Sequence, residues 1–209
     1  MLLQCVKNLV AKSNENLFTS FVAMTVIELE KDFFKQGAPS PKITVACVRN
    51  DFGYWGVGVL EDALCFVIGL KQADLSEVMR YTQKRWGVAC EAMAESMKAD
   101  YSRLLEDAIL GRTTMLPKLA LIGTPFQRAV WRSLLAIPRG ETRTYGDIAK
   151  ELGCDNGARA VGGAVGANSI AVIVPCHRVL GVTGIGGYAW GVPLKQQLLA
   201  AEASCSRIV

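Results

Sequence analysis

The sequence predicts an α/β protein of the α+β kind: an N-terminal sheet-plus-helix domain, then a mostly helical C-terminal domain with a helix-turn-helix. Three observations predict it. From residue 43 onward, ITVACV, YWGVGVL and ALCFVIGL are short runs rich in β-branched and aromatic residues, split by RNDFG and EDA, as in a β-meander. Two helical stretches follow, around Leu75–Trp86 and Glu95–Leu110, and KLALIGT offers a last strand. Beyond it the chain changes to capped, amphipathic and glycine-rich helical segments. We divide it into residues 1–42, an extension without an assigned role that could hold one or two helices; 43–117, the sheet-plus-helix domain; and 118–209, the helical domain.

The elements of the last domain follow in order. In GTPFQRAVWRSLLAIPRG, Thr124 and Gln127 make a capping box, with Pro125 at the first helical position. Phe126, Val130, Leu134 and Leu135 share one face, Trp131 belongs to the core, and Pro138 ends the helix. In TRTYGDIAKELG, Thr144 and Asp147 cap a short helix that Gly153 ends, and Asp155 or Asn156 can cap a second one from near Ala158. Helix, short turn, helix is the helix-turn-helix outline. The second helix contains Ala158, Ala160, Gly162, Gly163, Ala164, Gly166 and Ala167, and each interior glycine costs about 1 kcal/mol relative to alanine. Either it packs closely against another backbone, or it approaches a nucleic acid closely. Only Arg159 and Asn168 could reach base edges, so such a helix can approach DNA but hardly read its sequence.

Composition sets bounds on this reading. With 209 residues, 51% hydrophobic and 20% charged, the chain is globular rather than disordered. Residues 1–123 carry fourteen basic and fourteen acidic residues, whereas 124–209 carry nine against five, so the whole excess of +4 lies in the C-terminal part. That is either ordinary surface charge or a polyanion-binding face. We expect no membrane span and no signal peptide, and hence an intracellular protein, cytoplasmic or nucleoid-associated in a bacterium and nuclear in a eukaryote. Seven cysteines without a CxxC, and one histidine, predict free thiols in a reducing compartment, no metal and no cofactor.

The stretch IAVIVPCHRVL, residues 170–180, carries the chemistry. Its apolar β-branched run predicts a buried strand ended by Pro175, which leaves Cys176, His177 and Arg178 at the mouth of the fold. A thiol with a pKa near 8.5 becomes a nucleophile once an imidazole accepts its proton, directly or through water. Neighbouring residues of a strand point to opposite faces, so Cys176 and His177 cooperate only across a turn or a bridging water. The alternative is a buried thiol beside an unrelated histidine.

VPCHRV, preceded by ARAVGGAVGANS and followed by GGYAWGVPLKQQLLAAEA, resembles the O6-alkylguanine-DNA alkyltransferases, the methylated-DNA–protein-cysteine methyltransferases. The likeness is strong over residues 124–209 and holds only in outline over 43–123. It implies direct-reversal repair: the alkyl group of O6-alkylguanine, with O4-alkylthymine as a further candidate, passes irreversibly to Cys176 in a monomer acting on double-stranded DNA. It further implies that His177 deprotonates Cys176 through a water, that Glu202 orients His177 and that Tyr145 protonates the leaving guanine. Asn168 would brace the cysteine turn. Arg159 would fill the gap left by the flipped base, with Thr144, Ala158, Ala160, Gly162 and Gly163 forming the DNA face. Val165, Val179, Tyr188 and Ala189 would line the pocket. The zinc ligands of some relatives are absent, and LGVTGIGG is about one residue shorter than in many of them. A lesion-binding protein without catalysis and a cysteine hydrolase are the competing classes; the first predicts no transfer to Cys176 and the second predicts turnover.

Overall fold

The structure is a computed structural model that describes residues 24–35, 42–113 and 116–205. After β1 (Val26–Leu29), strands β2 (Ile43–Asn50), β3 (Gly53–Leu60) and β4 (Ala63–Leu70) form the expected antiparallel meander among themselves. Its residues divide between two cores with the strand period of two, interrupted in β4 by the bulge that shifts the register between Gly58 and Val59. Ile43, Val45, Cys65 and Ile68 pack with Val78 and Trp86 of α1 (Leu75–Trp86). Ala46, Val48, Trp55 and Val57 pack with Leu105 and Ile109 of α2 (Glu95–Leu110) and with the C-terminal half. Where β3 lacks a side chain at Gly58, the Phe66 ring of β4 covers the gap, and a Cβ there would lie 1.9 Å from it.

Three pairings, which add β5 (Cys90–Ala92), β6 (Leu119–Ile122) and β1, extend the meander into a six-stranded mixed sheet of order β1-β6-β4-β3-β2-β5. β5 runs parallel to β2, and β6 runs parallel to β1 and meets β4 at Leu64. The sheet therefore takes a strand from the extension and another from beyond residue 117. The helices expected in residues 1–42 fall largely outside the described residues; within 24–35 the chain forms β1 and a 3-10 turn, Phe33–Lys35.

In the C-terminal half, α3 (Pro125–Leu135) starts on the Thr124–Gln127 capping box. Its Trp131, 1% exposed, donates from Nε1 to the Ala164 carbonyl 2.8 Å away. β7 (Arg143–Thr144) leads into α4 (Tyr145–Glu151), capped by Thr144 and Asp147, and α5 (Ala158–Gly166) completes the helix pair. The start of α5 differs from expectation. Gly157 is its N-cap, without a side-chain cap, while Asn156 takes the left-handed φ of 63° in the turn and so cannot cap. A short β8 (Val179–Leu180) pairs in parallel with β7, and α6 (Val192–Cys205) closes the described fold.

The buried strand expected at residues 170–174 is not a strand. Ile170 makes a single bridge to Val67 of β4, and the chain then coils. Val174 N–H donates to Ile170 O at 2.9 Å, Ile173 N–H to Ala171 O at 2.8 Å, and Cys176 N–H to Val174 O at 2.8 Å. The second bond closes a γ-turn on Val172 at φ 70°, a conformation costing a β-branched residue about 1–3 kcal/mol. The third closes an inverse γ-turn on Pro175, at φ −81° and ψ 62°. Burial alone made the run apolar, and a buried coil needs the same side chains as a buried strand.

Among the described residues no helix is long and apolar enough to cross a membrane. Cys47, Cys65, Cys90 and Cys176 are free thiols, but Cys154 is disulfide-bonded, contrary to the free thiols expected, and its partner lies outside those four.

Candidate active site and nucleic-acid interface

The inverse γ-turn at Pro175 delivers Cys176 to the start of a 3-10 turn, Cys176–Arg178, so Cys176 and His177 no longer alternate as on a strand. Asn168, 4% exposed, holds this turn from the end of α5. Its Nδ2 donates to Val174 O at 2.9 Å and to Cys176 Sγ at 3.0 Å, and its Oδ1 accepts from Ile170 N–H at 2.9 Å. Burial pushes the Cys176 thiol up to about 11, against the Asn168 hydrogen bond that favours the thiolate.

Behind the cysteine lies a buried ionic network. His177 Nε2 is 2.8 Å from Glu202 Oε1, and Arg178 Nη2 donates to the same oxygen at 2.8 Å. Arg178 Nε donates to Glu202 Oε2 at 3.0 Å, and Gly140 N–H donates to that oxygen at 3.3 Å. Burial disfavours the Glu202 charge, but the bonds from His177 and Arg178 outweigh it and bring the carboxyl from 4.5 down to about 2. Burial lowers His177 despite the Glu202 hydrogen bond, so the imidazole is neutral at neutral pH. A carboxylate only accepts, which puts the imidazole proton on Nε2 and leaves the Nδ1 lone pair open. Nδ1 is buried and has no hydrogen-bond partner among the described residues.

On the other side of the sulfur stand two tyrosines. The β7–β8 pairing, Arg143↔Val179 and Thr144↔Leu180, sets the start of α4, and with it Tyr145, beside the segment that follows Cys176. Burial raises Tyr145, and the Cys176 charge raises it further, so its hydroxyl keeps its proton. Tyr188 is raised well above its usual value by burial and lies near the sulfur, though its hydroxyl makes no hydrogen bond of ordinary geometry. Its ring packs edge-on against Trp190, with centroids 5.2 Å apart. Val165 and Val179 are buried and Ala189 is exposed. Both backbone polar groups of Val179 are engaged, its N–H with Cys176 O and its C=O with Lys195.

Lys195 escaped the sequence reading. It is 0% exposed, and its Nζ donates to Val179 O and Ile185 O, each at 2.6 Å, and to Gly187 O at 3.2 Å. Three acceptors use all three N–H bonds of an ammonium, one more than a neutral amine has, so the group is charged. No carboxylate contacts it among the described residues. Burial lowers its affinity for the proton and the nearby Cys176 restores part of it. The signal was present on α6: Lys195, Leu198 and Glu202 stand at i, i+3 and i+7, and all three are buried. Arg178 was quoted in the motif without a role, although it joins Glu202 to the Ile137 carbonyl.

The helix pair presents the remaining residues. Ala158, Arg159 and Gly163 are exposed, and Thr144, Ala160 and Gly162 are half-buried. A Cβ added at Gly163 or Gly166 would meet nothing within 4 Å, so close packing within the protein does not require these glycines. Gly162 differs, since a Cβ there would lie 3.8 Å from the Tyr145 ring. Arg159, Gly163 and Gly166 form one bare outward face, separate from the buried cysteine network.

Fold and site together define an α+β protein with a helix-turn-helix and a buried cysteine–histidine–glutamate centre. Residues 125–204 match the family described as 6-O-methylguanine DNA methyltransferase, DNA binding domain. The methylated-DNA–protein-cysteine methyltransferase of Methanosarcina acetivorans is 50% identical over 113 residues, 53% of this chain and 72% of that protein. The enzyme of the same name from Mycolicibacterium paratuberculosis is 56% identical over 86 residues, 41% of this chain and 52% of that protein. Mycobacterium tuberculosis OGT, solved in complex with DNA, superposes with a TM-score of 0.62 at 35% identity, over 78% of this chain and 94% of that one. The O6-methylguanine-DNA methyltransferase of Pyrococcus kodakaraensis gives 0.56 at 27% identity, over 77% and 98%. The chain belongs to the methylated-DNA–protein-cysteine methyltransferase family of DNA-repair enzymes.

Proposed function

We propose that this protein transfers the alkyl group of O6-alkylguanine in double-stranded DNA to Cys176 Sγ, once per molecule. The observation that carries the reading is the placement of Cys176: a sulfur held by Asn168, with a neutral imidazole bound to a carboxylate behind it and two protonated tyrosines in front.

The lesion rotates out of the duplex, at a cost of a few kcal/mol, and Arg159 occupies the vacated stack. The thiol proton passes to His177 Nδ1 through a bridging water, and Glu202 stabilises the imidazolium formed. Asn168 and the Lys195 ammonium stabilise the thiolate. Sulfur then attacks the alkyl carbon in line, the S–C bond forms as the C–O6 bond breaks, and the electron pair returns to the guanine ring. The Tyr145 hydroxyl supplies the proton that neutralises the departing base. The product is a thioether, which neither His177 nor water can reverse.

An excess of duplex carrying one O6-methylguanine tests this. Repaired guanine should stop accumulating when it equals the protein added, and the Cys176 peptide alone should gain one methylene. Binding without mass gain would establish a lesion binder, and continued turnover a hydrolase; either overturns the reading. A duplex carrying O4-methylthymine tests the range of bases.

A further inference from the structure

Away from the cysteine, the last turn of α1 and the turn at residues 31–35 enclose a cleft of about 380 Å³. Lys31, Lys35, Lys84 and Arg85 surround it, over a floor that includes Trp86 and Ile122. One carboxylate opposes these four cations, that of Asp32, and it is already 2.8 Å from Lys35 Nζ. Lys31 and Lys84 make no hydrogen bond or ion pair among the described residues. Lys84 and Arg85 suit the C-terminal end of a helix, where the dipole favours cations. That accounts for neither Lys31 nor Lys35, which converge on the same cleft from a different element. A concave surface with this imbalance attracts an anion.

The position of the cleft identifies the anion. Arg85 Nη2 donates to the carbonyl of Ala167, the C-cap of α5, at 2.9 Å, yet Arg85 remains exposed. The outward face of α5 runs from Arg159 through Gly163 to Gly166, and Arg85 stands at its far end. At 1.5 Å per residue, Ala167 lies about 12 Å along the helix from Arg159.

We propose that Lys31, Lys84 and Arg85 form a second DNA contact on the N-terminal half, holding backbone phosphates beyond the C-terminal end of α5. This rests on the reading of α5 as the DNA face.

The test is a salt titration of binding to an unmodified duplex of about 20 base pairs, so no alkyl transfer is involved. Each phosphate contact contributes about 0.9 to the slope of log K against log salt. The double variant Lys31→Gln with Lys84→Gln should flatten the slope by about 1 to 2 and weaken binding roughly tenfold at low salt. Lys31→Arg with Lys84→Arg should keep the wild-type slope. Unchanged slope and affinity in the glutamine variant, with an unchanged melting temperature, would overturn the proposal. Methyl transfer by the wild type is measured separately. A protein that transfers methyl groups but shows equal slopes refutes the cleft alone, and one whose slopes differ without transfer retains the cleft while losing the repair reading.

Discussion

His177 Nε2 and Glu202 Oε1 stand 2.8 Å apart, with the two residues 1% and 3% exposed. A neutral imidazole and a carboxylate sealed together fix the tautomer, and with it the one nitrogen able to take a proton. The same carboxylate gathers Arg178 and Gly140 N–H, so it ties separate segments of the chain together.

Glu202→Gln should therefore slow transfer by about a hundredfold, since an amide neither fixes the Nε2–H tautomer nor stabilises the imidazolium. It should also change acid stability. The Glu202 carboxyl falls from 4.5 unfolded to about 2 folded, so its stabilisation is complete above pH 4.5 and is lost as pH falls through about 2. Its size is on the order of 3 kcal/mol. Urea unfolding of wild type and variant should differ most at pH 5 to 6 and converge near pH 2. A constant difference across that window would contradict the assignment.

Lys195→Met removes a buried positive charge beside Cys176 while keeping an unbranched side chain one atom shorter. The thiolate loses stabilisation, and the rate of Cys176 alkylation by iodoacetamide at pH 8 should fall about tenfold to a hundredfold. The log rate should still rise by one per pH unit. A merely structural lysine would alter the melting temperature and leave the alkylation rate at each pH unchanged.

Arg159→Ala should slow repair in duplex DNA by about tenfold to a hundredfold, because stacking or insertion contacts are worth about 1–3 kcal/mol. Transfer from a free modified base needs no flipping and should be spared. Equal losses on both substrates would point to misfolding.

Gly58→Ala tests the sheet. The added methyl would lie 1.9 Å from the Phe66 ring, so ring or strand must move. A loss of about 1–3 kcal/mol in unfolding free energy is expected. A neutral result would mean that Phe66 has another rotamer available.

Much of this was legible because it rests on local chemistry. The capping boxes at Thr124 and Thr144 are set by residues three apart. The pairings of β1 with β6 and of β5 with β2 join short strands far apart in sequence, and no local signal marks them. The coil at Val172 was hidden for another reason. Apolar β-branched residues report burial, and only the single bridge at Val67 shows that no ladder follows. In the site, the resemblance names Cys176, His177 and Glu202, whereas Lys195 has no part in the sequence reading and is turned inward by the packing of α6.

The bridge between Val67 and the cysteine segment means that the two halves do not meet at a seam. Val67 N–H donates to Ser169 O and Val67 O accepts from Ala171 N–H, while Ser169 Oγ reaches Cys65 O. Strand β4 is thus a jig on which the coil around Val172 is bent. Arg139 fastens a second point, donating to the Ala108 carbonyl of α2 and to the Ala201 carbonyl of α6, one residue before Glu202. A fragment cut at residue 118 would carry every residue assigned to the chemistry and lack the surface that shapes their arrangement. Such a fragment should keep the helix pair's grip on DNA and leave the sulfur unreactive.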